Sequence, residues 1–290
     1  MFKRVIVATD LSPTSDGLVR CLDQLKPFNT KECLLLQCLS VQETASIAIG
    51  TTATVLEKAL QRQKTWLEEY GFSVDTRVVS GQIKSEINQI AQKEKYGLIV
   101  TGSKKQSAAS EVFFKGLPYD LALHSKVPVL LVRLEETAAG ITCQKPFSDP
   151  EETSLLFPTD FSKNANVAFE RLMDMVSDGI TRTTLMHVQN KSRMKPEMVA
   201  RLEEFNKQDQ EKLDLLRQQL LDKGAKDVEI LIKFGEPSEE ILMVAESIQP
   251  QLIVMGSQGR GFVREMLLGS VSRRITRSAN ASVLLVPARG

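Results

Sequence analysis

GEPSEEILMVAESIQPQLIVMGSQG, residues 235–259, reads as a helix running into a short apolar strand that stops at Gly256. GQIKSEINQIAQKEKYGLIVTGSKK, residues 81–105, follows the same plan 154 positions earlier. Outward from this pair, VIVATDLS at Val5–Ser12 answers LLFPTDFS at Leu155–Ser162, 150 positions on. VPVLLV at Val127–Val132 answers ASVLLV at Ala281–Val286, again 154 positions on. Self-similarity on this scale decides architecture before any local motif does, and it makes the chain two copies of one domain.

Each copy reads strand, helix, strand, long helix, strand, helix, strand, glycine-bearing loop, helix, strand. In the second copy the strands are LLFPT, TTLMHV, VEILIKF, LIVMG and SVLLV, apolar on both parities as strands buried on both faces are. KPEMVARLEEFNKQDQEKLDLLRQQLL has helical spacing at Met198, Leu202, Phe205, Leu213, Leu216 and Leu220, with Pro196 near its first turn. Thr54 to Tyr70 plays that part in the first copy, and Gly71 stops it. Alternating strands and helices without hairpin signals require right-handed crossovers. The expected fold class is α/β: two tandem, doubly wound, five-stranded parallel-sheet domains of Rossmann-like kind. They occupy 1–134 and 152–290, and residues 135–151, aperiodic and carrying Gly140, Pro146 and Pro150, read as the linker.

Composition narrows the function. Of 290 residues 42% are hydrophobic and 25% charged, and 37 basic against 36 acidic residues leave no broad electrostatic footprint for nucleic acid or anionic membrane. Cys21, Cys33, Cys38 and Cys143 have no CxxC spacing and read as reduced, mostly buried thiols, with only His124 and His187 to join them in a metal site. MFKRVIVATD enters a strand directly, and no apolar run approaches the ~18 residues of a membrane span, so a cytoplasmic location is expected.

Ligands of doubly wound sheets sit beyond the carboxyl ends of the strands, at the switch point. Asp10 and Asp160 end the first strands, and Gly102 and Gly256 the fourth. After Gly256, the stretch GSQGRGFVREMLLGSVS adds Gly259, Gly269, Ser270 and Ser272. Glycines let a phosphate approach the backbone, and the start of the last helix offers unpaired N–H groups, a positive dipole end and two hydroxyls. The same residues also suit a turn and a helix cap without any ligand.

The spacing Gly256-x2-Gly259-x9-Gly269-Ser270, with Asp160 closing the first strand, resembles the nucleotide-binding motif of the universal stress protein family, whose fold is adenine nucleotide alpha hydrolase-like. The resemblance spans both copies. It implies ATP, ADP or AMP held in the second copy, with phosphates on Gly256, Gly259, Gly269, Ser270 and Ser272, the base near Val188 and Val271, and the ribose near Asp160. Pro158 and Thr159 would shape the pocket edge, Met255 would pack on the nucleoside, and Mg2+ would enter only through the phosphates. It further implies a stress-response sensor or adaptor whose protein partner is unknown, with the two copies paired through their last strands and a homodimer compatible with that pairing.

The first copy departs from the motif. It keeps Asp10 and Gly102, but Lys105 replaces the second glycine, and Gly116 is followed by Leu117 and Pro118 instead of hydroxyls. Lys104, Lys105 and Lys115 read as a solvated basic loop, and the copy as degenerate. The chain lacks SGGxDS, HxGH and GxxxxGK[ST] stretches, so no catalytic residue is assigned. Slow ATP hydrolysis or phosphate transfer is one alternative, and a non-binding tandem scaffold another. His187 reads as a core or rim histidine satisfied by backbone rather than a base. Arg260 and Arg264 flank the motif, while Arg273 and Arg274 read as exposed helix residues.

Overall fold

The computed structural model describes residues 2–39, 52–104, 117–190, 202–260 and 268–288. They fall into two compact units, Met1–Ser148 and Asp149–Arg289. In the first unit the order is β1 (Arg4–Thr9), α1 (Pro13–Val19), a 3-10 helix (Leu22–Phe28), β2 (Glu32–Leu39), α2 (Thr52–Glu69) and β3 (Ser73–Ser80). α3 (Ile83–Lys93), β4 (Leu98–Lys104), α4 (Leu117–His124), β5 (Val129–Thr137) and β6 (Gly140–Cys143) complete it. The parallel order is β3-β2-β1-β4-β5, and β6 lies antiparallel on the end of β5.

The second unit repeats the plan. β7 (Ser154–Thr159), α5 (Lys163–Ser177), β8 (Arg182–Asn190), α6 (Leu202–Asp222) and β9 (Asp227–Gly235) lead into α7 (Pro237–Ile248), β10 (Leu252–Gly256), α8 (Ser270–Ser278) and β11 (Ser282–Val286). Its strands run in the order β11-β10-β7-β8-β9. Right-handed crossovers then put α5 and α6 on one face and α7 and α8 on the other, in line with the contacts of α5 with α6 and of α7 with α8.

Burial on both faces follows. Leu155, Leu156 and Phe157 of β7 and Leu252, Ile253 and Val254 of β10 are each 0% exposed. α5 covers them with Ala165, Ala168, Phe169, Leu172, Met175 and Val176, one face at helical spacing. The strand order reverses between β7 and β10. Their ladder covers only Leu155–Leu252 and Leu156–Ile253, and beyond it stands Pro158, buried and without an N–H to offer. The strands part where a ligand crevice belongs.

Two expectations change. Residues 135–143, read as linker, instead extend β5 and form β6, where Leu134 faces Cys143 and Thr137 faces Gly140. The hairpin was hidden because its turn, Thr137-Ala-Ala-Gly140, carries one turn-forming residue, Gly140, at φ +117°. Cys21 and Cys143, read as thiols, form a disulfide with Cα atoms 6.0 Å apart, while Cys33 and Cys38 are free. Burial raises both free thiols, to about 12, and Glu86 adds to the shift at Cys38, which disfavours the thiolate form of each.

Candidate functional site

The end of β7 is shaped by its own short sequence, Thr-Asp-Phe-Ser. Thr159 Oγ1 accepts the Phe161 N–H at 3.0 Å, Asp160 Oδ1 accepts the Ser162 N–H at 3.0 Å, and Ser162 Oγ caps α5 by accepting the Ala165 N–H at 3.2 Å. Phe161 is thereby held at φ 57°, a left-handed conformation that costs a non-glycine residue ~1–2 kcal/mol. The first unit builds the same turn from Thr9, Asp10, Leu11 at φ 58° and Ser12. One carboxylate oxygen of each strand-end aspartate is thus committed to backbone.

The other oxygen of Asp160 reaches the glycine loop. Asp160 Oδ2 accepts the Arg260 N–H at 2.8 Å, which ties the glycine loop to β7. A Cβ on Gly259 would stand 2.6 Å from that oxygen, so a side chain there would displace the Asp160 carboxylate. Gly256 is similarly constrained: a Cβ would lie 3.1 Å from the Gln258 carbonyl and 3.2 Å from that of Asn164.

Gly269 differs from both. It is the N-cap of α8 at φ −60° and ψ 153°, with no side-chain cap, and among the described residues the nearest atoms a Cβ there would meet are Gln258 Cα and Ser257 O at 3.5 Å and Gly259 N at 3.7 Å. Its own N–H donates to Ser257 O at 2.8 Å, and Ser257 N–H to Val286 O at 2.8 Å. These bonds lay the loop against the start of α8. Ser270, Val271 and Ser272 then present the first-turn N–H groups, which have no acceptor inside the helix. The Ser272 side chain is buried and its hydroxyl donates to Gly256 O at 3.0 Å, bracing the strand end. Ser270 is exposed.

The remaining expected residues sit where the topology puts them. Met255 and Val188 are buried, and Val188 lies one residue past the paired Thr159 and His187. Thr159 and Pro158 are buried at the end of β7. Arg260, Arg273 and Arg274 are exposed, and Arg274 pairs with Glu239 at 3.2 Å. Arg264, Lys105, Lys115 and Gly116 lie outside the described residues.

His187 is 6% exposed, donates from Nδ1 to Thr159 O at 2.7 Å, and stacks on Phe161 with ring centroids 4.5 Å apart. Its Nε2 faces Asp209 Oδ2 at 3.6 Å. Burial holds the imidazole below its ordinary value, helped by Arg260 and Lys212, while the Thr159 carbonyl and Asp209 pull upward. Burial works to raise Asp209, yet hydrogen bonds from Gln189 and Lys212, both at 3.0 Å, outweigh it and hold the carboxyl low. His187 is therefore a satisfied rim histidine that braces the turn carrying Asp160. Sequence reading missed Asp209, whose place in the charge-rich run of α6 looks solvated.

A cleft of about 490 Å³ opens outward from Gln189, between the ends of β8 and β9 and α6, with Asn206, Lys207, Gln210, Lys233 and Phe234 on its walls. None of its wall residues belongs to the glycine loop. Among the described residues no group of three or more His, Cys, Asp or Glu could hold a metal ion.

The first unit arranges the same strand ends differently. Ser15 Oγ donates to Asp10 Oδ1, Asp16 accepts from Arg62 at 2.7 Å and Gln63 at 2.6 Å, and Thr9 Oγ1 donates to Gln63 Oε1 at 2.9 Å. Lys104 pairs with Glu136 at 3.0 Å.

The model of the universal stress protein family matches residues 1–133 and again residues 153–287. A universal stress protein of Methanocaldococcus jannaschii is 31% identical over 151 residues, covering 46% of this chain and 93% of that relative. One from Mycolicibacterium smegmatis is 23% identical over 299 residues, 98% of this chain and 97% of that one. The crystal structure of a universal stress protein from Archaeoglobus fulgidus has the same fold, with a TM-score of 0.77 at 23% identity over 100% of both chains.

Proposed function

The chain belongs to the universal stress protein family as a tandem two-domain member, and we propose that its second unit binds one adenine nucleotide, ATP or its ADP or AMP counterpart, and acts as a sensor or adaptor. The observation that carries this reading is Gly269: an N-cap without a side-chain cap, facing the Ser257–Gly259 loop across ordinary contact distances, at the start of a helix whose first N–H groups have no internal acceptor. Backbone amides and a positive helix end converge there on one small volume, the chemistry that recognises phosphate.

In this reading the phosphates lie against Gly269 on the amides of Gly259, Ser270 and Val271, while Gly256 and Ser272 hold the strand end beneath them. The ribose comes to Asp160. Its Oδ1 keeps the turn, and Oδ2 either retains the Arg260 N–H or exchanges it for a ribose hydroxyl, a choice that couples nucleotide to the position of the loop. The base rests between Val188 and Val271, beside Met255. A divalent ion enters with the phosphates.

The first unit is proposed not to bind nucleotide. Its strand-end polar groups are bonded to one another through Asp10–Ser15 and Asp16–Arg62–Gln63, and Pro118 removes an N–H from the first turn of α4. Calorimetric titration of nucleotide-free protein with ATP tests both statements. One nucleotide per chain, lost in Gly269→Val, is expected; two per chain, or one that survives Gly269→Val, refutes the placement.

A further inference from the structure

The first unit carries a feature that has no counterpart among the described residues of the second. β6 lies over α1, with Ile141 so close that a Cβ on Gly17 would stand 2.6 Å from its Cγ2. The chain continues over the 3-10 helix: Phe147, 1% exposed, meets Phe28 with ring centroids 5.4 Å apart, and Ser148 Oγ donates to Asp23 at 3.0 Å. At the centre of this strap the disulfide joins Cys143, the last residue of β6, to Cys21, the N-cap of the 3-10 helix. The second unit has Arg171 where the repeat would place the first cysteine.

One polar side chain addresses the bond. Gln24, 0% exposed, donates from Nε2 to Cys143 Sγ at 3.3 Å. A donor fixed on one of two sulfurs stabilises negative charge there, and the sulfur that bears charge more easily is the better leaving group in thiol–disulfide exchange. We infer that Cys21–Cys143 is a reversible thiol–disulfide couple that fastens and frees the strap of residues 138–148, with Cys143 as the leaving sulfur and Gln24 as its positioning residue.

The exchange balances with a dithiol as co-reactant. A dithiol thiolate attacks Cys21 Sγ, the bond to Cys143 breaks, and the electron pair leaves on Cys143 Sγ, which takes up a proton. The second dithiol sulfur then attacks the mixed disulfide, closing the reductant into its own disulfide and releasing Cys21 as a thiol. Two electrons and two protons pass to the protein. Cys21 and Cys143 are each 8% exposed, so exchange follows local opening of the strap and leaves Cys33 and Cys38 as bystanders. In a reducing compartment such a bond persists only while an oxidant outpaces the thiol pool, the condition under which a disulfide reports redox state.

The full chain is equilibrated in graded mixtures of reduced and oxidised dithiothreitol, quenched in acid, alkylated and mapped by mass spectrometry, with hydrogen exchange on the same samples. Cys21 and Cys143 are expected to change together from a linked to a doubly alkylated pair, and exchange over 138–148 to rise at least ~10-fold on reduction while β7 is unchanged. Alkylation of both sulfurs in the most oxidising mixture, or equal exchange over 138–148 in both states, would overturn the couple. Gln24→Leu should slow reduction about fivefold, the loss of one hydrogen bond to a developing thiolate; an unchanged rate refutes the leaving-sulfur assignment. Cys143→Ser should match the reduced wild type in exchange, and if it does not fold, the reduced wild type supplies the comparison. No outcome depends on nucleotide.

Discussion

Gly269→Ala separates the phosphate site from the fold more cleanly than any other single change. At φ −60° and ψ 153° alanine is at ease, and among the described residues its Cβ would meet nothing nearer than 3.5 Å. The cost to stability is the preference of an N-cap for glycine over alanine, under about 1 kcal/mol. Binding is affected differently. The new methyl stands between Ser257, Gln258 and Gly259 on one side and the helix start on the other, where the phosphate is proposed to lie. Displacing an anion from one or two amides loses charge-assisted hydrogen bonds of ~1.5–3 kcal/mol each, or ~10-fold to more than 100-fold in affinity. Gly256→Ala is the contrast: at 3.1 and 3.2 Å from backbone carbonyls its Cβ strains the fold itself, and melting should fall with binding. Calorimetry with ATP beside thermal melts reads both quantities. Affinity within threefold of wild type in a Gly269→Ala protein of unchanged melting temperature would refute the assignment of α8 as the phosphate site.

Asp160→Ala removes acceptors for the Ser162 and Arg260 N–H groups, and nucleotide affinity should fall by ~1–3 kcal/mol, whereas Asp10→Ala should leave it unchanged; equal losses in the two variants would contradict an asymmetric chain. His187 has a folded pKa below its unfolded one, so the stability it contributes is complete above the unfolded value near 6.5 and is lost as pH falls through the folded value. His187→Gln should therefore flatten the decline of melting temperature from pH 7 to pH 5, and an unchanged slope would show that another group carries it. Gly17→Ala drives a methyl into Ile141 and should cost about 1–3 kcal/mol, read from urea unfolding; a neutral result would mean that β6 does not press on α1.

What the sequence made legible was what repeats at short range. Apolar strands and helical spacings recur in both copies, so the doubly wound α/β class, and a ligand position at the ends of the first and fourth strands, followed from the alternation of strands and helices, while the order of the strands did not. Thr159-Asp160-Phe161-Ser162 could be placed at the crevice but not resolved: nothing in its letters says that one aspartate oxygen serves the turn and the other presses on Gly259, a hundred residues away. The same limit hid the disulfide, whose partners are 122 residues apart and share no local pattern. Asp209 escaped because its helix neighbours are charged and its partner His187 belongs to another element.

The interior position of the first strand of each unit has a consequence for synthesis. β7 emerges from the ribosome before every other strand of its unit, yet the partner that closes its second edge, β10, is translated nearly a hundred residues later. At elongation rates of ~5–20 residues per second that is a wait of about 5–20 s. During it, β7 can pair only with β8, and the edge carrying Leu155, Leu156 and Phe157 stays open to solvent and to other nascent chains. The same wait is imposed on β1 until β4 arrives, so one chain exposes such an edge twice during its synthesis. Holdase chaperones that cover apolar extended segments have their natural target in these two windows, before nucleotide can contribute to stability.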